Sequence, residues 1–537
     1  MDRKKKMYEK WTSEALVKRI LTLEAALDPT EEGTATAAAS PPEKKKPHRK
    51  LDSSKYSTRL VAFKLAYLGK RYGGFEFSAH ANYPSIEEEL WKAFAKAALI
   101  FPENPEVVNW DSIEYSKCGR TDKGVSAFGQ VIVVRVRSSR PLPKKEAAQQ
   151  GERGDVAEAA EEIPEFDDFA DEIPYCRILN RILPSDIQML AWCPTTPAEF
   201  SARHDCRERQ YRYFFTQPAF APIPQSIENP DAPKGTRLKA GWLDIEAMRK
   251  AAKKFEGRHD FRNFCKVDST KGLINFERKV LESDIVEVKD AETALPFLDR
   301  DEFRPASVSD LGLQEKLPKI YYFHVRGSAF LWHQIRCMVA VVFLVGQGLE
   351  DPSIIDKLLD IEAEPAKPNY TLADEAPLVL WDCLFPRTEK PENAVKWEYV
   401  GEDSPLNQHG TKGLMNDMWG FWRERKIDEV LASQLLSVVA SQADTSLRKN
   451  RTAPEYIPDT TRTFTGDNGE RLVGRYQPLL TRPRGLTPAE LFDNEAKRKG
   501  FANAAERNEA FVKKRMEIAA KRGKPPARVL DLEEGVE

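Results

Sequence analysis

Apolar side chains alternate with polar ones at Val61, Phe63, Leu65 and Tyr67, the period of a half-buried strand over residues 60–68. Gly69-Lys-Arg-Tyr-Gly-Gly74 breaks that pattern. Ser85-Ile-Glu-Glu88 then forms a capping box ahead of Leu90, Trp91, Phe94 and Ala97-Ala98, which predicts that a helix starts there. Further strands are predicted at Gln130–Arg137, Ile187–Trp192, Gln210–Phe215 and Ile320–Arg326, and helices near Ile245–Phe255 and Phe330–Val345. Strands alternating with helices through antiparallel-looking connections indicate an α+β domain between roughly 55 and 388.

Outside that span the pattern changes. Leu16, Ile20, Leu23 and Leu27 recur at helical spacing within residues 11–27, as in a short coiled-coil or docking helix, or a helix packed on its own domain. From Pro29 to about Lys50 the chain reads as a flexible linker. Its basic end, Glu43-Lys-Lys-Lys-Pro-His-Arg-Lys50, fits a nuclear signal, an RNA-phosphate contact or a merely solvated linker. Between Glu146 and Glu172 stand 11 acidic residues and one basic residue, a composition that repels itself and predicts a disordered insertion. Beyond Pro386, Met415–Ser441 reads as helix, 442–470 is polar and rich in breakers, and 487–523 reads as a charged helix. That tail is either an RNA-binding extension or a solvated helix.

With 41% hydrophobic and 31% charged residues over 537 positions, the chain is a globular protein with polar segments attached. No run approaches 18 apolar residues, so no membrane span is expected. No apolar signal core follows the basic N-terminus, which argues against secretion. The seven cysteines (118, 176, 193, 206, 265, 337, 383) include no Cys-x-x-Cys pair. They are expected to be reduced thiols in a cytoplasmic and nuclear protein rather than a disulfide frame or a zinc site. The net charge of −2 averages unlike segments and does not exclude a nucleic-acid partner.

Chemistry concentrates in Cys118-Gly-Arg-Thr-Asp-Lys-Gly-Val-Ser-Ala-Phe-Gly-Gln-Val131, a polar, glycine-bounded loop delivered into an apolar strand. Arg120 and Lys123 flank a single carboxylate, Asp122. On local chemistry alone, Asp-Lys-Gly is an ordinary turn sequence as readily as a site. The spacing of a phosphate-binding P-loop is absent.

The stretch resembles the catalytic motif of the TruA family of tRNA pseudouridine synthases. Four further segments resemble that family's landmarks, in its order: Tyr67-Leu-Gly-Lys-Arg-Tyr-Gly-Gly-Phe75, Leu179-Asn-Arg-Ile-Leu-Pro-Ser-Asp-Ile187, Phe200-Ser-Ala-Arg…Tyr211-Arg-Tyr213 and Gly327-Ser-Ala-Phe-Leu-Trp-His-Gln-Ile-Arg-Cys-Met-Val339. The resemblance spans about residues 57–386. Pro368-Asn-Tyr370 and Pro377-Leu-Val-Leu-Trp-Asp-Cys383 are similar to the eukaryotic branch that acts on tRNA positions 38 and 39. Ser78-Ala-His80 and Gln334-Ile335 depart from the family pattern at peripheral or conservative positions.

The resemblance implies two ferredoxin-like (RRM-like) halves, 51–205 and 206–388, whose antiparallel sheets join around a basic catalytic cleft. Residues 1–50 and 389–537 are then extensions, helical and partly disordered. It implies that Asp122 is the essential carboxylate, as nucleophile at C1′ of the target nucleotide or as base on its sugar. Arg336 matches the family arginine that pairs with this aspartate, and an adjacent cation would hold the carboxylate ionised. Tyr211 matches the tyrosine that stacks on the extruded uracil. Arg120 matches an arginine thought to fill the vacated position or grip a phosphate. Lys123, Lys70, Arg71, Arg203 and Arg209 are candidate RNA contacts, with solvated surface charge the alternative; Arg207 and Arg212 add to a dense basic strand. His204, His259 and His333 are read as structural or peripheral. The implied reaction is an isomerisation without net redox change, so no cofactor or metal is expected. The expected partner is tRNA, with a homodimer expected by analogy to bacterial relatives. Two alternatives are the same chemistry at other RNA positions and a non-catalytic RNA-binding factor of the same fold.

Overall fold

The computed structural model describes residues 52–142, 166–221, 241–270, 275–289, 318–385, 395–401, 408–411, 413–442, 461–469 and 471–521. The chain divides into two units, residues 1–51 and 52–537. The helix expected at 11–27, the linker to Lys50 and most of the acidic insertion lie outside the described residues.

Among the described residues, ten strands build one sheet: β1 (Ser57–Tyr67), β2 (Tyr115–Lys117), β3 (Ser126–Ser138), β4 (Ile187–Cys193), β5 (Glu208–Gln217), β6 (Gly257–Asp260), β7 (Glu277–Glu287), β8 (Lys319–Gly327), β9 (Leu378–Leu384) and β10 (Glu398–Tyr399). Their spatial order is β10-β4-β1-β3-β9-β5-β8-β7-β6, with β2 added to β3. The pairings are antiparallel except at the centre, where β3 and β9 run parallel through Ser126↔Val379 and Ala127↔Leu380. β3 begins four residues after Asp122, so the candidate loop enters the sheet at this join.

Strands rather than helices form in β1 and β3 because β-branched and aromatic residues suit a pleated, buried surface. Val131 to Val134 are buried without a break, as expected of a strand covered on both faces. Two apolar clusters fill the interior. The first packs Phe63, Leu65 and Val133 against α1 (Ile86–Lys96) and α2 (Tyr175–Asn180) through Trp91, Phe94, Tyr175 and Leu179. The second packs Tyr213, Phe323 and Val325 against α3 (Ile245–Lys253) and α4 (Gln334–Gly346) through Met248, Met338 and Phe343. Each such side chain, fully buried, contributes roughly 1.5–3 kcal/mol. Tyr211 touches both clusters and so lies at the join.

The capping box is half formed: the Ser85 hydroxyl accepts from the Glu88 amide at 3.1 Å, and α1 begins at Ile86 as the sequence predicts. α4 begins later than expected, at Gln334, because residues 328–333 turn instead and His333 adopts a left-handed φ of 60°. The end of the acidic insertion is ordered, contrary to its composition. Glu172 is buried, accepts from the Ser138 hydroxyl and Ser139 amide, and pairs with Arg59 at 2.9 Å, so local charge repulsion yields to specific partners. β7 and β9 lie where no strand is predicted; the charged sequence of β7 hides its alternation.

Within 442–470 lies β11 (Thr461–Thr463), which pairs with β12 (Arg471–Val473) just beyond that stretch. Ile354–Leu359 is the short helix α5, and the helical pattern over Met415–Ser441 is α6 (Leu414–Gln442). The charged stretch 487–523 is two helices, α7 (Pro488–Arg498) and α8 (Ala504–Lys521). Gly500 separates them at φ +86°, a conformation glycine adopts without penalty at a helix end. Phe464, Leu479 and Phe492 from this C-terminal region enter the second apolar cluster. Among the described residues no helix is long and apolar enough to cross a membrane.

Candidate active site

The Asp122 loop is held from both sides by the backbone. The Phe75 amide donates to Thr121 O at 3.1 Å, the Gly124 amide to Tyr72 O at 3.2 Å and the Val125 amide to Asp122 O at 3.2 Å. The Tyr67 hydroxyl meets Thr121 Oγ1 at 2.7 Å, and Gln130 bridges both backbone groups of Gly119 at 2.9 and 3.1 Å. Gly69 is required by contact: a Cβ there would meet the Val125 carbonyl oxygen at 2.0 Å. Gly124 has φ +80° and faces Glu375. The carboxylate of Asp122 is thus presented from a braced loop, its side chain 30% exposed.

Three groups surround it. The Trp332 indole Nε1–H donates to Oδ1 at 3.1 Å, and Lys266 Nζ sits 4.4 Å over that indole, orienting it. His333 Nε2 lies 3.6 Å from Oδ2. Burial, with the charges of Arg336, Lys266 and Lys367, lowers the His333 pKa to about 4, so the imidazole is neutral near pH 7 and this contact is not an ion pair. Its Nδ1 is buried without a hydrogen-bond partner.

Arg336 stands close enough to act on Asp122 electrostatically, but its hydrogen bonds go elsewhere. Its guanidinium donates to Glu375 Oε2 at 2.7 Å and to Ala373 O at 2.8 Å. The Arg336 charge lowers the Asp122 pKa, as a neighbouring cation must, without outweighing burial. Burial raises the Asp122 pKa above the ordinary carboxylate value, and Arg336 and the Trp332 hydrogen bond offset this only in part, while Glu375 adds to it.

Tyr211 lies on β5, paired with Val325 and Leu380, and its ring meets Phe330 edge-on at 5.3 Å. Phe330 is two residues from Trp332, which links the tyrosine to the Asp122 surroundings. Of the expected RNA contacts, Lys70, Arg71, Arg120, Lys123 and Arg203 are exposed. Arg120 pairs with Glu76 at 3.2 Å, Arg71 with Asp186 at 3.4 Å, and Lys123 Nζ lies 4.0 Å over the Tyr83 ring. Arg209 is enclosed, and donates to Ser328 O at 2.8 Å and Cys118 O at 3.1 Å, bracing β5 against the loop. Arg212 stacks 3.6 Å over Trp381 and 4.5 Å over Tyr322.

Trp332, His333 and Glu375 are the neighbours of Asp122 that sequence reasoning missed. The first two lie inside a recognised motif, yet nothing local points them toward residue 122. His204 is exposed and His259 bonds the Glu256 carbonyl at 2.9 Å. The cysteines, scattered in sequence, are not scattered in space: the sulfurs of Cys118, Cys206 and Cys383 lie within 4.8 Å of one another.

Comparison with known proteins gives a match over residues 251–386 to the family described as tRNA pseudouridine synthase. The chain is similar to the tRNA pseudouridine(38/39) synthase of Bos taurus, 41% identical over 362 residues, which are 67% of this chain and 61% of that protein. It is similar to the Saccharomyces cerevisiae protein of the same name, 34% identical over 407 residues, 74% of this chain and 75% of that one. An archaeal tRNA pseudouridine synthase A, from Methanoculleus marisnigri, is 26% identical over 344 residues, 64% of this chain and 89% of its own. The chain thus spans about three-fifths of the length of the mammalian relatives it matches.

Proposed function

The chain belongs to the tRNA pseudouridine synthase family, and from that premise we propose that it isomerises uridine to pseudouridine in the anticodon stem-loop of tRNA, at positions 38 and 39. The observation that carries this reading is the Asp122 carboxylate, presented from a rigid loop at the join of the sheet and hydrogen-bonded to Trp332. The names of the mammalian and yeast relatives support the two positions.

The chemistry requires the bond from C1′ to the base nitrogen to break, the uracil to rotate, and a new bond to form from C1′ to C5. The C5 proton leaves and the base nitrogen gains one, so atoms and electrons balance within substrate and water. Asp122 acts in its ionised form, either as nucleophile at C1′ or as base on the sugar. The Trp332 N–H stabilises the carboxylate charge, and neutral His333 adds none. Tyr211 supplies an aromatic face for the extruded base, worth roughly 1–3 kcal/mol. Lys70, Arg71, Arg120, Lys123 and Arg203 supply exposed cations for phosphates. An RNA stem offers few readable base edges, so recognition is by shape and backbone.

The same reading takes the two apolar clusters, each beneath its own part of the sheet, as two ferredoxin-like halves around a basic cleft. It includes a homodimer. Support comes from α6, which buries none of its residues and exposes Ile427, Leu431, Leu435 and Val438 at helical spacing. Unmodified tRNA transcripts incubated with the purified chain test the function: isomerisation at 38 and 39 is expected, and modification confined to other uridines overturns the assignment. Light scattering of the same preparation tests the dimer.

A further inference from the structure

We propose that Cys118, Cys206 and Cys383 form a three-thiolate site for a soft divalent cation, zinc in the cell, that pins the base of the Asp122 loop to both parts of the sheet. The three residues come from distant segments: Cys118 opens the catalytic loop, Cys206 precedes β5, and Cys383 lies in β9. Their sulfurs converge to within 4.8 Å of one another, and each residue is 4% exposed. Among the described residues, no other three His, Cys, Asp or Glu side chains gather their ligand atoms in this way. A zinc–sulfur bond of about 2.3 Å places three thiolates roughly 4 Å apart, so small inward shifts suffice.

Charge selects the class of ion. Three thiolates around a divalent cation carry one net negative charge, and the part-buried Arg209 guanidinium, bonded to Cys118 O at 3.1 Å, offsets it. A monovalent ion such as cuprous copper would leave a net negative charge enclosed without compensation, which is costly in a buried site. The Cys206 thiol donates to the Glu208 carbonyl oxygen at 3.3 Å at the border of the site. Binding releases the thiol protons to water and involves no oxidation. The ion's role is structural: it fixes the residue from which the loop departs and takes no part in isomerisation.

Metal content is read without substrate, so this inference stands or falls apart from the functional reading. Elemental mass spectrometry of the full chain, purified without chelator, is expected to find one zinc per chain. Cadmium titration of the metal-free chain should give an ultraviolet thiolate-to-metal band that saturates at one equivalent. Cys206→Ser should weaken cadmium binding by more than roughly 100-fold, the upper end for loss of a mere outer-shell partner. Should that variant not fold, the wild-type chain decides: a chelator should lower its melting temperature and zinc should restore it. A folded wild-type chain with no saturable cadmium band overturns the proposal. So does a disulfide between two of the three cysteines in the native protein, or one equivalent of copper in place of zinc.

Discussion

The indole N–H of Trp332 donates to Oδ1 of Asp122 at 3.1 Å, across 210 positions of sequence. This hydrogen bond favours the ionised carboxylate against burial, beside the larger effect of the Arg336 charge. Trp332→Phe removes the donor while keeping an aromatic ring beneath Lys266. A hydrogen bond to a charged group is worth about 1.5–3 kcal/mol, so kcat/KM should fall by about 10- to 100-fold. Binding of tRNA should stay within a few-fold, measured by filter retention alongside single-turnover rates. A wild-type rate would remove Trp332 from the mechanism.

Arg336 and Glu375 act on Asp122 with opposite signs. Arg336→Gln should move the acidic limb of the kcat/KM profile to higher pH, because the charge that lowers the Asp122 pKa is lost. Glu375→Gln should move it to lower pH. Profiles that shift in the same direction would show that packing, not charge, dominates at this pair.

Asp122→Asn should abolish product and stabilise the fold. The folded-state pKa of Asp122 is raised, so its ionisation costs stability as pH rises through the interval from the ordinary carboxylate value to the raised one. Above that interval the cost is fully present. The variant should therefore melt higher than wild type at pH 7 and equally at pH 3.5, read by calorimetry. No gain at pH 7 would mean that the site does not strain the carboxylate.

His333 gives the opposite pH dependence. Its pKa is lowered to about 4 from an ordinary 6.5, so the stability it contributes is present above the upper value and is lost as pH falls toward the lower. His333→Gln should flatten the decline of the melting temperature between these two pH values. An unchanged slope would assign the acid sensitivity to other groups.

Tyr211→Leu keeps an apolar side chain between the two clusters and removes the aromatic face. Loss of one base-stacking contact predicts a fall in kcat/KM of roughly 5- to 150-fold. The melting temperature should change far less than for Tyr211→Ala, which leaves a cavity. Equal activity of wild type and Tyr211→Leu would confine the tyrosine to packing.

By itself the sequence determined β1, β3 and β5, the start of α1 at the Ser85 cap, and the loop that presents Asp122. Each of these rests on local regularities: a two-residue alternation, a hydroxyl three positions from its amide, glycines where backbones must approach. Gly69 shows the local limit, since its need for no side chain comes from Val125, 56 positions away at the start of the neighbouring strand. Tertiary structure alone decided which side chains surround the carboxylate. Trp332 and His333 reach Asp122 because residues 328–333 turn before α4 begins, and Arg336, in the first turn of that helix, finds Glu375 as its closer partner. It also decided the sign of the Asp122 pKa shift, which depends on how much water the fold removes rather than on which cation the motif supplies. The meeting of Cys118, Cys206 and Cys383 belongs to the same class. Periodicity constrains neighbours a few residues apart, whereas contacts between strands and helices far apart in sequence are settled by how their apolar faces close on one another.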